Sequence, residues 1–236
     1  MRIVTLNTWK CEGLYARRLV LMAEGLRELC ADVICLHECF AGGGASTAAS
    51  LAEALGMRAY AAPARRKLRT YGAGRVMSTS GLAILVCNPA ISVDVCALDT
   101  DARDGQRIAQ RLDLDHKGVG LRILNLHLTH LTGPAADGVR TAQLGAAMDW
   151  ALAGDLNATA ADQALAPLRL APSPGTFQGP RIGASSPAGM AIDHCVLVRQ
   201  GGWRLAATGR ALDRPDDDGW FPSDHAAVVL DLIRAQ

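Results

Sequence analysis

Several signatures are missing from this 236-residue chain, and each absence weighs against a class of function. There is no charge surplus: 24 Lys and Arg face 23 Asp and Glu, whereas proteins held to nucleic acid mainly by phosphate neutralisation carry a basic excess or stripe. Aromatic residues make up only 4% of the chain, which leaves little for a base-stacking platform. Seven cysteines include no C-x-x-C pair, so neither a disulfide framework nor a zinc ribbon is indicated. No apolar run approaches the roughly 20 residues that span a bilayer. The first residues read as a strand and not as a charged leader followed by an apolar core. These features lead to the expectation of a cytoplasmic protein without a membrane-spanning segment. G-x-S-x-G is absent, which disfavours a serine hydrolase. Gly42-Gly43-Gly44 has no following Lys-Ser/Thr, so it reads as a flexible connector and not a phosphate loop.

What is present is a globular composition, half apolar, whose hydrophobic runs recur from end to end with no linker or repeat. One domain over residues 1–236 is the economical expectation. Arg2–Leu6 reads as a strand, and residues 14–29 as a helix with Leu19, Met22, Leu26 and Leu29 on one face. Asp32–Leu36 reads as a doubly buried strand, and 46–55 as a helix with Ser46 at its N-cap. Strands are expected at 82–86, 91–98, 107–114, 121–128, 150–153, 191–198 and 226–232, with another near 203–208. Helices are expected at 135–149 and 160–168. The pattern predicts an α/β (α+β) mixed-sheet core with helices outside.

Polar residues stand where these strands end. Asn7, Glu38, His127, Asp155 with Asn157, Asp193-His194 and Asp224-His225 each have an ordinary reading alone, as turn residues or satisfied histidines. As an ordered set they supply carboxylates for a hard cation, amide and imidazole donors for anionic oxygens, and an Asp able to orient a water.

The order Leu6-Asn7-Thr8-Trp9, Val33-Ile34-Cys35-Leu36-His37-Glu38, Gly81-Leu82-Ala83-Ile84-Leu85, Asn125-Leu126-His127-Leu128, Gly154-Asp155-Leu156-Asn157-Ala158, Ile192-Asp193-His194 and Ser223-Asp224-His225 resembles the endonuclease/exonuclease/phosphatase family. Arg140 and Gln143 match its R-x-x-Q spacing. The resemblance runs from residue 3 to residue 232. It implies a four-layer αββα sandwich of two packed mixed sheets, Mg²⁺ or Mn²⁺, and hydrolysis of a phosphate ester. By position it makes Glu38 the principal metal ligand, with Asn7 beside it and Asp224 assisting. Asp155 would orient or deprotonate water, and Asn157 would fix that water and a phosphate oxygen. His127 would donate to a non-bridging oxygen. His225, oriented by Asp193, would stabilise charge on phosphorus or protonate the leaving oxygen.

The His at position 127 is of the type seen in sphingomyelinase-like, DNase I-like and tyrosyl-DNA-phosphodiesterase-like members. Apurinic endonucleases of the exonuclease III type usually carry a Tyr-containing segment there. They also usually carry a Trp-Arg-x-Asp-Tyr stretch where this chain has Gly189-Met190-Ala191-Ile192-Asp193-His194, and they differ at Cys39. Abasic-site repair is thereby weakened.

Lesser signals concern substrate. Arg65, Arg66, Lys67, Arg69 and Arg75 form either a solvated loop or a lip that attracts an anion, and 62–80 with 129–138 are the candidate lip segments. His130 reads as a rim residue or a solvated one. His37 and His194 should point away from the site by strand alternation. His116 and the acidic stretch Asp213–Asp218 read as solvated. The substrate expectation stays open between a small-molecule, a lipid-derived and a nucleic-acid phosphoester, with no obligate protein partner. The competing expectations are a nuclease and a catalytically silent scaffold of the same fold.

Overall fold

A computed structural model describes residues 1–145, 151–170, 175–181, 189–198 and 201–235. Strand β1 (Arg2–Asn7) is buried along nearly its whole length, as its continuous apolar run requires. It pairs in parallel with β2 (Val33–Gly42) and antiparallel with β13 (Ala227–Arg234). Helix α1 (Tyr15–Leu29) makes the crossover and turns Met22, Ala23 and Leu26 inward. Helix α2 (Thr47–Leu55) follows β3 (Ala45–Ser46), and Ser46 caps it as expected, accepting from Ala49 N–H at 3.3 Å.

β1, β2 and β13 belong to an eight-stranded sheet ordered β12 (Trp203–Ala211), β13, β1, β2, β6 (Gly74–Val86), β4 (Arg58–Ala62), with β3 on β2 and β5 (Lys67–Tyr71) on β6. The second sheet has five strands: β11 (Asp193–Leu197), β10 (Ala151–Asp155), β9 (Val119–His127), β8 (Ile108–His116) and β7 (Ser92–Ala97). Both sheets mix parallel and antiparallel pairs.

Three apolar clusters define the layers. Ile3, Val33, Cys35 and Ile84 meet Leu112, Leu121, Ile123 and Ala151 between the sheets. Met22, Leu26 and Leu51 of the helices cover Val4, Leu36 and Leu85 on one outer face. Leu144 of α3 (Pro134–Leu144), with Leu165 and Leu168 of a 3-10 turn (Gln163–Leu168), covers Leu124, Leu126 and Leu152 on the other. The result is the expected four-layer sandwich.

The differences are local. The 62–80 segment is not a loop: β5 and the first half of β6 form a hairpin there, missed because its inward face carries polar Arg69 and Ser78 while apolar Leu68 and Met77 are exposed. Helix 160–168 is a 3-10 turn starting at Gln163, with Pro167 inside it. α3 ends at Leu144, and the expected helix residues 146–149 and strand residue Trp150 lie outside the described residues. Gly43 and Gly44 form a tight turn between β2 and β3, both with positive φ. His116 is half-buried against the Trp203 ring, and Asp216 and Asp218 are paired with Arg17 instead of being simply solvated. Among the described residues, no helix is long and apolar enough to cross a membrane.

Candidate active site

Ladder register brings the second sheet's polar residues together. In the β9–β10 parallel pair His127 lies opposite Asp155, and in the β10–β11 antiparallel pair Asp155 lies opposite Asp193. Neighbouring strands sit about 4.8 Å apart, so three chemistry-bearing residues share one sheet edge. Gly154 makes the approach possible: a Cβ there would lie 2.4 Å from the Leu126 carbonyl oxygen.

Asp155 is the hub. Its Oδ2 accepts from Asn7 Nδ2 at 2.9 Å and lies 3.6 Å from His127 Nε2, while Oδ1 accepts from the Asn157 main chain at 2.9 Å. Burial, then the neighbouring Asp193 charge, push the Asp155 carboxyl well above its ordinary range. Asp193 accepts from His225 Nδ1 at 2.8 Å, and Phe177 packs edge-on against the His225 ring. Burial alone would lower the His225 pKa, but the Asp193 charge and hydrogen bond, with Asp155 and Asp224 adding, raise it to about 10. His225 is therefore an imidazolium at neutral pH. His127 is the opposite case: burial, then Arg107, His37, Arg65 and Lys10, hold it neutral.

Under this network the two sheets are bolted together. His37 Nε2 meets Asn125 Oδ1 at 2.8 Å, and Asn125 Nδ2 donates to the Leu36 and Ala83 carbonyls. His37 thus points away from the cleft, as alternation predicts, and His194 does the same, with its Nε2 2.9 Å from the Ala158 carbonyl.

Glu38 arrives differently. The β2–β6 ladder shifts between Leu36 and Cys39, and Glu38 sits in this irregularity with φ +54°. Its carboxylate carries the Lys10 ammonium at 2.7 Å. Lys10 comes from a loop that buried Arg18 gathers by donating to the Thr8, Trp9, Lys10, Glu12 and Pro222 carbonyls. Asp224 follows that last anchor; burial, with Glu38's charge adding, raises it to about 6. Glu38 shares the Lys10 ammonium, Asp224 lies 4.0 Å from His225 Nε2, and their hard oxygen donors fit a divalent cation. Asp155, Asp193 and His225 also bring ligand atoms within 4.8 Å of one another, but His225 Nδ1 and Asp193 are already bonded to each other. Glu38 and Asp224 are the better cation donors. Asn7 is engaged by Asp155 through Nδ2, and its Oδ1 accepts from Trp9 N–H at 3.0 Å, so both ends of its amide are held and it braces Asp155.

Asn7, Glu38, His127, Asp155, Asn157, Asp224 and His225 line one cleft of about 280 Å³, which also includes Trp9, Lys10, Arg65, Arg107 and His130. Among the expected substrate contacts, Arg65 and His130 reach this cleft; Arg66 is exposed outside it, and Arg69 turns inward to Ser78 and Ser80. Arg140 and Gln143 anchor the lip instead, donating to the Leu131 carbonyl and accepting from Thr129 N–H. Sequence reasoning missed Lys10, Arg18, Asp104 and Arg107. A cation on a helix or at a strand start reads as solvated, and only its buried partners show otherwise.

The fold has solved counterparts. A functionally unknown conserved protein from Enterococcus faecalis V583 is 19% identical over 100% of both chains, with a TM-score of 0.71. The mannosyl-6-phosphatase Bt3783 of Bacteroides thetaiotaomicron VPI-5482 is 17% identical over 99% of both, with a TM-score of 0.72. D. rerio TDP2, solved with a single-strand DNA product, is 15% identical over 99% of this chain and 98% of that one, with a TM-score of 0.67. Identities this low speak for the fold alone. No curated protein matches the chain in sequence. The family model described as "Endonuclease/Exonuclease/phosphatase family" matches residues 4–225, spanning every strand-end residue of the cleft from Asn7 to His225, and the chain belongs to that family.

Proposed function

We propose that the protein is a divalent-metal-dependent phosphodiesterase that hydrolyses a phosphate ester by attack of water. The observation that carries this reading is Asp155, a buried carboxylate of raised pKa held by Asn7 and Asn157 beside an Asp193–His225 ion pair, in one cleft with Glu38 and Asp224. Glu38 and Asp224 would hold the cation, with Asn7 assisting. Mg²⁺ or Mn²⁺ there supplies neutralisation of phosphate charge and acidification of a water.

Asp155 takes the proton of the attacking water, and its raised pKa gives it useful basicity near neutrality. Asn7 and the Asn157 main chain keep the carboxylate aimed, and the Asn157 side chain contacts the water and a phosphate oxygen. His225, protonated and fixed by Asp193, donates to a phosphoryl oxygen as charge develops on it. His127, neutral at working pH, gives a hydrogen bond to a non-bridging oxygen and no proton. Arg65 and His130 face the rest of the substrate. The cleft lies just under the size range of drug-like sites, which suits a small or chain-terminal phosphoester. All seven cysteines are unpaired, which agrees with a reducing cytoplasm.

The test is a hydrolysis screen with Mg²⁺ or Mn²⁺ against an Asp155→Ala control. Substrates are bis-p-nitrophenyl phosphate, p-nitrophenyl phosphate, single- and double-stranded DNA, an abasic duplex and sphingomyelin. Cation-dependent turnover that vanishes in the variant supports the proposal. Turnover that survives chelation, or survives in Asp155→Ala, rejects it.

A further inference from the structure

In-line transfer places the attacking and leaving oxygens on opposite sides of phosphorus. A group that protonates the leaving oxygen is therefore not the neighbour of the group that deprotonates water. His225 is such a neighbour, within the 4.8 Å cluster around Asp155. So is His127, with Nε2 3.6 Å from the same carboxylate. The remaining imidazole of the cleft, His130, is tied elsewhere: its Nδ1 lies 2.5 Å from Asp104 Oδ1.

Asp104 is a built partner. It is buried, and Arg107, also buried, grips it with Nε on Oδ2 at 2.8 Å and Nη2 on Oδ1 at 2.6 Å. Arg107 Nη1 in turn donates to the His127 carbonyl at 3.3 Å, which locks the assembly to the end of β9. Burial would raise the Asp104 carboxyl, but Arg107 overrides it and keeps the group ionised. In the protonated ring both nitrogens carry hydrogen, so Nδ1 faces the Asp104 carboxylate as an ion pair and Nε2 is the ring nitrogen left for the cleft. Arg107 Nη2 lies within hydrogen-bond distance of the same Nδ1, at 3.1 Å, and competes for it as a donor when the ring is neutral. The His130 side chain is 51% exposed, so it can exchange protons with water.

We propose that His130 is the leaving-group acid of the reaction above, with Asp104 and Arg107 as its positioning residues; the assignment rests on the phosphoesterase reading. As the P–O bond to the leaving group breaks, its electron pair stays on that oxygen, which takes the proton from the imidazolium Nε2. The water oxygen bonds to phosphorus and gives its proton to Asp155. His130 regains a proton from solvent and Asp155 releases one, so the cycle balances.

The experiment is a leaving-group series of p-nitrophenyl, phenyl and benzyl methyl phosphates, with the matching monoesters, on wild type and His130→Gln. Nitrophenolate departs without a proton, and a benzyl alkoxide does not. Relative to wild type, His130→Gln should lower the ratio of benzyl to p-nitrophenyl ester rates about 10²-fold or more, steepening the dependence on leaving-group acidity. Asp104→Asn should bend the series the same way, with a thermal melt confirming its fold; His130→Gln, on an exposed loop residue, is the decisive variant. Equal slowing across the series, or none, overturns the assignment. If wild type itself shows no cation-dependent turnover of the p-nitrophenyl esters, the phosphoesterase reading fails instead, so the two failures are distinct.

Discussion

The five-stranded sheet and the eight-stranded sheet furnish opposite walls of the cleft by different means. His127, Asp155 and Asp193 lie opposite one another in unbroken ladders, buried and held by strand register. Glu38 comes from a ladder irregularity with left-handed backbone, Lys10 from a loop whose Trp9 and Lys10 are both left-handed, and Asp224 from the turn before β13. Groups that move protons need fixed distances, which hydrogen-bonded register provides. Groups that meet a cation need clustered charge, and regular strands, whose side chains alternate between faces, do not cluster them. On the proposed roles, the cation wall stores strain and the proton-transfer wall stores desolvation.

Breaking the proton-transfer wall should have the largest effect. Asp155→Ala is expected to lower kcat by about 10³–10⁴-fold, the upper part of the range for an acid–base group. Its melting temperature near pH 7 should be unchanged or higher, since a poorly solvated carboxylate is removed; steady-state kinetics beside calorimetry checks both. A mutant that melts much earlier would make Asp155 structural.

The cation wall should break in the reverse sense. Glu38→Gly relieves a left-handed residue, a strain of about 1–2 kcal/mol, while removing the ligand. Mg²⁺ or Mn²⁺ demand should rise at least about 10–100-fold, as even loss of a ligand's supporting partner costs that much, with no loss of stability. An unchanged cation titration would take Glu38 out of the site.

Gly154→Ala sharpens the contrast by attacking register without touching chemistry. Its Cβ meets the Leu126 carbonyl at 2.4 Å, so β9 and β10 must separate. A loss of about 1–3 kcal/mol in urea unfolding is expected, with activity falling alongside. Normal stability would mean that register at this edge is softer than the ladder implies.

The smallest effect is a pH slope, measured in chelator. The native Asp155 pKa is raised to about 7 by burial and Asp193, against about 3.9 in an unfolded chain. A raised native pKa favours the fold fully below the unfolded value, and that contribution is lost as pH rises through the native one. Asp155→Asn should therefore gain on wild type in melting temperature between pH 4 and pH 8. A constant gap would mean that Asp155 titrates normally.

Most of the cleft was readable beforehand because its residues interrupt apolar strands, where a polar side chain at a strand end is conspicuous. Asn7, Glu38, His127, Asp155, Asp193, Asp224 and His225 all stand at such interruptions. The β5–β6 hairpin was not readable, since its buried positions Arg69 and Ser78 are polar while Leu68 and Met77 are exposed, the reverse of the usual alternation. Nor were the buried cations. Arg18 lies on an amphipathic helix like any surface Arg, and its five carbonyl partners come from segments as far away as Pro222. Arg66 and Arg107 look alike in sequence, yet one is in solvent and the other grips Asp104 inside the lip.

The sequence alone determined a mixed-sheet core with helices outside, because hydrophobic period and polar interruption are local properties of the chain, while its resemblance to the family implied the four-layer sandwich and the candidate residues of the cleft. Tertiary structure decided which residues act on which. Asn7 braces Asp155 across 148 positions, Asp104 holds His130 instead of facing solvent, and His127 is neutral while His225 is charged. Partner choice and protonation depend on distance and burial, which arise only when strands far apart in sequence share an edge.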